Sequence, residues 1–110
     1  MAKDDMFVVM CKIVSYLYEC MKKGVEPEEY RYSADYLEVN ERYWKCIMLD
    51  LRRHGYVRGV DAMEFPDGKV SVKLSWPRVT SDGVQFMSEN TMMAKAMRAL
   101  RDAKDAIPFA

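Results

Sequence analysis

Three arginines stand within seven positions around a His-Gly-Tyr step in the segment LRRHGYVRGV, residues 51–60. Arginine binds guanine edges through its forked guanidinium, and lysine binds phosphate as a point charge. The basic residues that precede this step share one arc of a predicted helix. The arc contains Arg42, Lys45, Leu49, Arg52 and Arg53. Such an arc suits the major groove of DNA, with Leu49 against a thymine methyl group or a protein partner. Cations in the last turn of a helix also offset its dipole, so a merely solvated face stays open.

Further bases follow downstream of this helix. We interpret Arg58, Lys69 and Lys73 as cations of a β-hairpin that reach phosphates or a minor groove. Asp67 at the predicted tip and Asp61 nearby oppose this role because they repel phosphate. The hairpin therefore adds candidate contacts of mixed charge.

The formal net charge of the 110 residues is zero, which counts against a dedicated nucleic-acid binder unless the charge is segregated. Residues 24–40 carry five acids against Arg31 alone, and residues 41–58 carry five bases against two acids. The charge is therefore segregated, and the basic half coincides with the arc described above. The acidic half is rich in tyrosine, which we expect to form a small cluster over the core.

Residue types that bind metal or carry out catalysis are few and scattered. Cys11, Cys20 and Cys46 form no CxxC pair, which predicts reduced thiols that fill the core. His54 precedes a predicted helix-closing glycine and has no metal-ligand partner nearby in the sequence, so we expect a helix-end residue. The chain also lacks a glycine-rich phosphate loop and a nucleophile–histidine pair. We expect no enzymatic activity, no metal and no cofactor.

The first residues of the chain and the lengths of its apolar runs indicate where in the cell the protein is expected. The segment MAKDDMF carries acids where a signal peptide carries bases, and no apolar run approaches a membrane-spanning length. We therefore expect a soluble cytoplasmic protein with a single domain over residues 1–110 and no membrane partner.

Three helices are predicted before the hairpin. Residues 6–23 are apolar on nearly every side, which indicates a central helix covered by other elements. Ser33 is placed to cap the short helix ADYL, and Asn40 to cap a helix over residues 41–54. The inward face of that third helix is predicted to contain Tyr43, Trp44, Ile47 and Leu51.

A β-hairpin is predicted around Pro66-Asp67-Gly68, because proline presets a turn and glycine accommodates positive φ. The run after the turn alternates between apolar and polar residues, as a half-buried strand does. Its predicted inward side contains Val70, Val72, Leu74 and Trp76.

The chain ends in helical patterns. Thr80 or Ser81 is placed to cap one helix, and a further amphipathic helix is predicted at about 91–107. The apolar seam of this last helix contains Met93, Ala96, Leu100, Ala103 and Ile107. The seam either packs back on the domain or forms a homodimer interface. The complete order predicts an α+β, mainly α, winged helix-turn-helix: helix, short helix, helix, β-hairpin wing and an additional C-terminal amphipathic helix.

Two segments resemble the YjcQ-type family of small bacterial and prophage winged-helix proteins. One is the helix-Gly-Tyr step at residues 54–60, and the other is the ending that starts at Val79. In the ending, the residues that match the family pattern are Val79, Thr80, Gly83, Phe86, Met87, Glu89 and Asn90. Asp82 stands where the family has a lysine, which exchanges a phosphate contact for repulsion.

The resemblance implies a winged-helix fold and a link to DNA, and the family has no clear biochemical assignment. We expect a small transcriptional or prophage regulator that binds double-stranded DNA through the helical arc, with a homodimer as an alternative to a monomer. A second hypothesis is a protein-interaction module without DNA binding, which docks through Leu49 and the Met92–Met93 helix.

Overall fold

The computed structural model describes residues 3–89, and the helix predicted at about 91–107 lies outside them together with its seam from Met93 to Ile107. The described part is α+β, with helices and one two-stranded antiparallel hairpin. Its elements are α1 (Met6–Lys23), a 3-10 turn (Glu29–Tyr32), α2 (Ala34–Leu37), α3 (Glu41–Arg53), β1 (Val57–Glu64), β2 (Val70–Val79) and α4 (residues 81–89).

The first helix lies at the centre of the core, as predicted from its apolar residues on nearly every side. Asp5 precedes it at the N-cap position, without a side-chain hydrogen bond. At the other end Gly24 takes a left-handed conformation, and the N–H of Val25 donates to the carbonyl of Cys20. This is the hydrogen-bond pattern of a Schellman cap. The buried side chains of α1 are Val9, Met10, Ile13, Val14, Leu17 and Cys20.

The two predicted caps that begin α2 and α3 are confirmed. Ser33 Oγ accepts a hydrogen bond from the N–H of Tyr36 at 3.2 Å. Asn40 Oδ1 accepts one from the N–H of Tyr43 at 2.8 Å. Each cap satisfies a backbone donor that a helix start leaves without an internal partner. The two caps therefore fix where the short helix and the third helix begin.

The inward face of α3 is also confirmed, and one hydrogen bond joins it to the acidic segment. Trp44, Ile47 and Leu51 are buried. The indole Nε1 of Trp44 donates to the carbonyl oxygen of Tyr32 at 2.8 Å in a buried position. Tyr32 itself is only 2% exposed, whereas Tyr30 is exposed. The expected small tyrosine cluster is present, since Tyr32 stacks on Tyr16 and Tyr30 lies edge-on to Tyr36.

The hairpin follows the predicted turn but departs from the predicted alternation. Ala62 pairs with Val72 and Val60 pairs with Leu74, with all four side chains at least half-buried. The next pair towards the base of the hairpin is Arg58 with Arg78. Three residues of β2 thus stand opposite a single residue of β1, which forms a β-bulge.

The inward position predicted for Trp76 is wrong because Trp76 lies in this bulge. Its side chain is 51% exposed and its φ is +48°. A bulky residue in the left-handed region is destabilised by about 1 to 2 kcal/mol. Opposite it, Gly59 has a φ of +78°, and the backbone oxygens of Ser75 and Trp76 approach so closely that a Cβ would not fit. The bulge is therefore built on Gly59.

Among residues 3–89, no helix combines the length and the apolar character needed to cross a membrane.

We predict that Gly59→Ala lowers the free energy of unfolding by about 2 to 4 kcal/mol. The new methyl group would stand 2.5 Å from the carbonyl oxygen of Ser75. Gly68→Ala is the matched control, since its φ is +86° but nothing lies within 4 Å of the added atom. Its expected loss is about 1 kcal/mol. Urea unfolding measures both variants, and equal losses would contradict the close approach at Gly59.

A second prediction concerns alkaline pH. Burial, and to a smaller extent the charge of Glu29, raises the pKa of the Tyr32 phenol to about 12. The unfolded-state pKa is about 10, so the protonated phenol stabilises the fold fully below pH 10. That contribution is lost as the pH rises towards 12. Urea unfolding between these pH values should show a falling free energy, and Tyr32→Phe should flatten the fall. The exposed Tyr30→Phe is the control, and an equal effect there would contradict the assignment.

Candidate nucleic-acid interface

The exposed surface of α3 carries the cations predicted from the sequence. Arg42, Arg52 and Arg53 are exposed, and Lys45 is half-buried. Asn40 fixes the start of this helix, and the chain reverses directly after His54. Within residues 3–89, neither Arg42 nor Arg52 has a carboxylate within 4 Å. The structure therefore leaves these two guanidinium groups accessible to an anion.

The predicted outward position of Leu49 is wrong. Leu49 is 5% exposed and belongs to the same buried cluster as Val60 and Ala62 of β1. The physical reason is tertiary, because the hairpin returns along α3 and packs on it. Leu49, an apolar residue among basic residues on the helical wheel, is thus a contact for the hairpin. Leu49 is unavailable to a thymine methyl group or to a protein partner.

Two carboxylates lie beside the other two cations of α3. Lys45 Nζ is 3.9 Å from Glu41 Oε1, and Arg53 Nη2 is 3.6 Å from Glu64 Oε1. Exposed pairs of this kind are worth about 1 kcal/mol or less. They hold the side chains only loosely. The Glu41–Lys45 pair follows from i,i+4 spacing, whereas the Arg53–Glu64 pair depends on how the hairpin folds back.

The hairpin turn brings a further cation to this surface. An open groove of about 510 Å³ separates the turn from the first half of α3. Its charged lining consists of three cations and two carboxylates. They are Arg42, Lys45, Lys69, Glu41 and Asp67. Lys69 thus lies beside the cations of α3, and Asp67 lies there too.

Arg58 and Lys73 do not line the groove. Both are exposed on the opposite face of the hairpin, where Lys73 pairs across the strands with Asp61. Arg58 pairs with Arg78, a residue for which the sequence predicts no role. The available signal was Pro77 beside it, because proline inside a strand indicates a bulge or an edge.

The single histidine and the thiols take ordinary positions, with one exception. His54 ends α3 and stacks on Tyr56 with ring centroids 5.1 Å apart, as a helix-end residue. Cys20 is buried, but the prediction of a core position is wrong for Cys46, which is exposed on α3. In the described part of the chain, no three potential metal ligands come together.

Comparison with known proteins gives one match. The family model described as YjcQ protein matches residues 11–106. No curated protein matches the chain, and no solved structure matches it. The matched region contains α3, the hairpin and the groove between them.

The burial of Leu49 can be tested by stability. We predict that Leu49→Ala lowers the free energy of unfolding by about 2 to 5 kcal/mol, because it leaves a cavity under the hairpin. Arg42→Ala on the same helix should change it by about 0.5 kcal/mol or less. Urea unfolding of the two variants gives the comparison. A loss for Leu49→Ala as small as that for Arg42→Ala would contradict the packing.

Proposed function

The chain belongs to the YjcQ family, and from this premise we propose that it is a winged-helix protein that binds double-stranded DNA. In this proposal α2, the turn at Asn40 and α3 form the helix-turn-helix, and the hairpin is the wing. The order of the elements supports the assignment. The biological role that fits such a small protein is transcriptional or prophage regulation.

The observation that carries the proposal is the convergence of cations from two elements on one open groove. Arg42 and Lys45 come from α3, and Lys69 comes from the hairpin turn. A duplex laid against this groove would contact the helix and the wing together. Arg52 and Arg53 are exposed near the end of α3, beyond the buried Leu49, and would offer further contacts to phosphate. Recognition of this kind needs neither a catalytic residue nor a cofactor.

The neighbouring carboxylates set the strength of the proposed interaction. Glu41, Glu64 and Asp67 lie beside cations of the surface and repel phosphate. Each phosphate contact contributes roughly one unit to the slope of log affinity against log salt. With about four such contacts, one protomer would bind modestly and with strong salt dependence. A homodimer would place two such surfaces on two half-sites.

A specific observation favours a second candidate function, a protein-interaction module. Met63 and Phe65 are exposed near the hairpin turn. Phe65 also lines a second opening of about 520 Å³ together with Trp44 and Leu74. The opening is also lined by Glu29, Glu41, Lys45 and Lys69. A partner segment with both apolar and charged residues would fit here, whereas the route through Leu49 is closed by its burial. Met92 and Met93 lie outside the described residues.

We predict that Arg52→Glu with Arg53→Glu abolishes the retardation of duplex DNA at low salt, because two phosphate contacts become repulsive. Circular dichroism should show an unchanged helical signal. Lys3→Glu with Lys12→Glu is the charge-matched control, and it should bind as the parent does. Retardation by the arginine variant equal to that of the parent would show that α3 is not the binding surface.

A companion variant tests the role of the hairpin carboxylate. Glu64→Gln releases Arg53 from its ion pair and should tighten duplex binding about two- to fivefold, in line with the small energy of an exposed pair. Fluorescence anisotropy of a labelled duplex measures the change. Weaker binding by this variant would contradict the competition between Glu64 and phosphate.

A further inference from the structure

A second cationic site lies on the outer face of the hairpin, at its base. Arg58 and Arg78 are directly opposite each other across the two strands, and both are exposed. Directly opposed residues stand about 5 Å apart at their Cβ atoms, and like charges at that spacing destabilise a sheet. Within the described residues, no carboxylate lies within 4 Å of either guanidinium. The pair is therefore suited to hold one phosphate between two arginines.

Trp76 lies beside this pair. Side chains of a strand alternate between its faces, and Pro77, the residue between Trp76 and Arg78, is buried. Trp76 is half exposed, and the bulge turns it away from the inner face on which Val72 and Leu74 lie. Bulges commonly re-aim a side chain beside a functional site. An exposed indole and two exposed guanidinium groups thus belong to the same short stretch at the base of the hairpin.

The arrangement is built into the backbone. Gly59 lets the carbonyls of Ser75 and Trp76 approach closely, and Trp76 keeps its left-handed φ inside this contact. The only carboxylate on the outer face of the paired strands is Asp61, which is opposed by Lys73. The base of the hairpin therefore carries a net positive charge and one exposed aromatic ring.

We propose that Arg58, Arg78 and Trp76 form a binding site for single-stranded nucleic acid. The two arginines would hold the backbone phosphate, and the indole would stack on an unpaired base. Stacking on an exposed aromatic ring with cations along the backbone is the general mode of sequence-tolerant single-strand binding. This site lies away from the groove at α3 and does not rest on the proposed binding of duplex DNA.

Tryptophan fluorescence tests the proposal directly, because Trp44 is buried and Trp76 is exposed. The probe is an oligothymidylate of about 12 nucleotides, within the site size of single-strand binders. At low salt it should quench the emission of the parent protein. In Trp76→Phe the remaining emission comes from Trp44 and should not change. No quenching in the parent would overturn the proposal.

Binding and stability of variants separate recognition from a structural role. Trp76→Asn should weaken binding of the labelled oligothymidylate about 5- to 100-fold. The same variant should leave stability equal or higher, since asparagine tolerates the left-handed region. Arg58→Gln with Arg78→Gln should lower the salt slope by about 0.7, because the pair neutralises one phosphate of a single strand. Unchanged binding by these variants would overturn the proposal.

Matched controls complete the experiment. Tyr30→Asn removes an exposed aromatic ring elsewhere, and Lys3→Gln with Lys12→Gln removes the same charge, so both should bind like the parent. The Arg52→Glu, Arg53→Glu variant should keep its affinity for the oligothymidylate, whatever its effect on duplex DNA. Quenching by an acidic peptide but not by the oligothymidylate would assign the site to a protein partner and overturn the proposal.

Discussion

The packing of the hairpin on α3 decides which charges of this protein face solvent. After His54 the chain reverses, and Val57, Val60 and Ala62 become part of the same buried cluster as Leu49 and Leu51. Burial of these apolar side chains contributes roughly 1.5 to 3 kcal/mol for each of the larger ones. Electrostatic interactions between exposed groups are much weaker. The apolar packing therefore determines where the charged residues lie.

Two separate basic surfaces result from this packing. One face of the hairpin lies on α3 and carries its turn to the helix, so that Lys69 joins Arg42 at the groove. The other face points away and presents Arg58 with Arg78. The same return of the chain places Glu64 beside Arg53. A chain of zero net charge can thus present local positive potential, although carboxylates moderate the α3 surface more than the hairpin base.

Local signals in the sequence were sufficient for the starts of α2 and α3 and for the hairpin turn. Ser33 and Asn40 make hydrogen bonds within three residues, and the turn at Pro66-Asp67-Gly68 depends only on its own dihedral preferences. Those features could be predicted because they need no distant partner. The burial of Leu49 could not be predicted, because a helical wheel contains no information about a strand that packs on the helix. The pairing of Arg58 with Arg78 was hidden for the same reason, because their register depends on a bulge formed in three dimensions.

The bulge is the feature that stability alone explains least. A continued alternation would place Trp76 on the inner face beside Leu74, where burial of a large aromatic side chain is favourable. Instead the chain keeps this ring half exposed, in a backbone conformation that is itself unfavourable for tryptophan, and requires a glycine opposite it. Strain that the surrounding structure maintains is characteristic of binding sites. The strained residue is aromatic, and Arg78, which is opposed by Arg58, stands two residues after it. The arrangement therefore fits a ligand with both a flat ring and a phosphate.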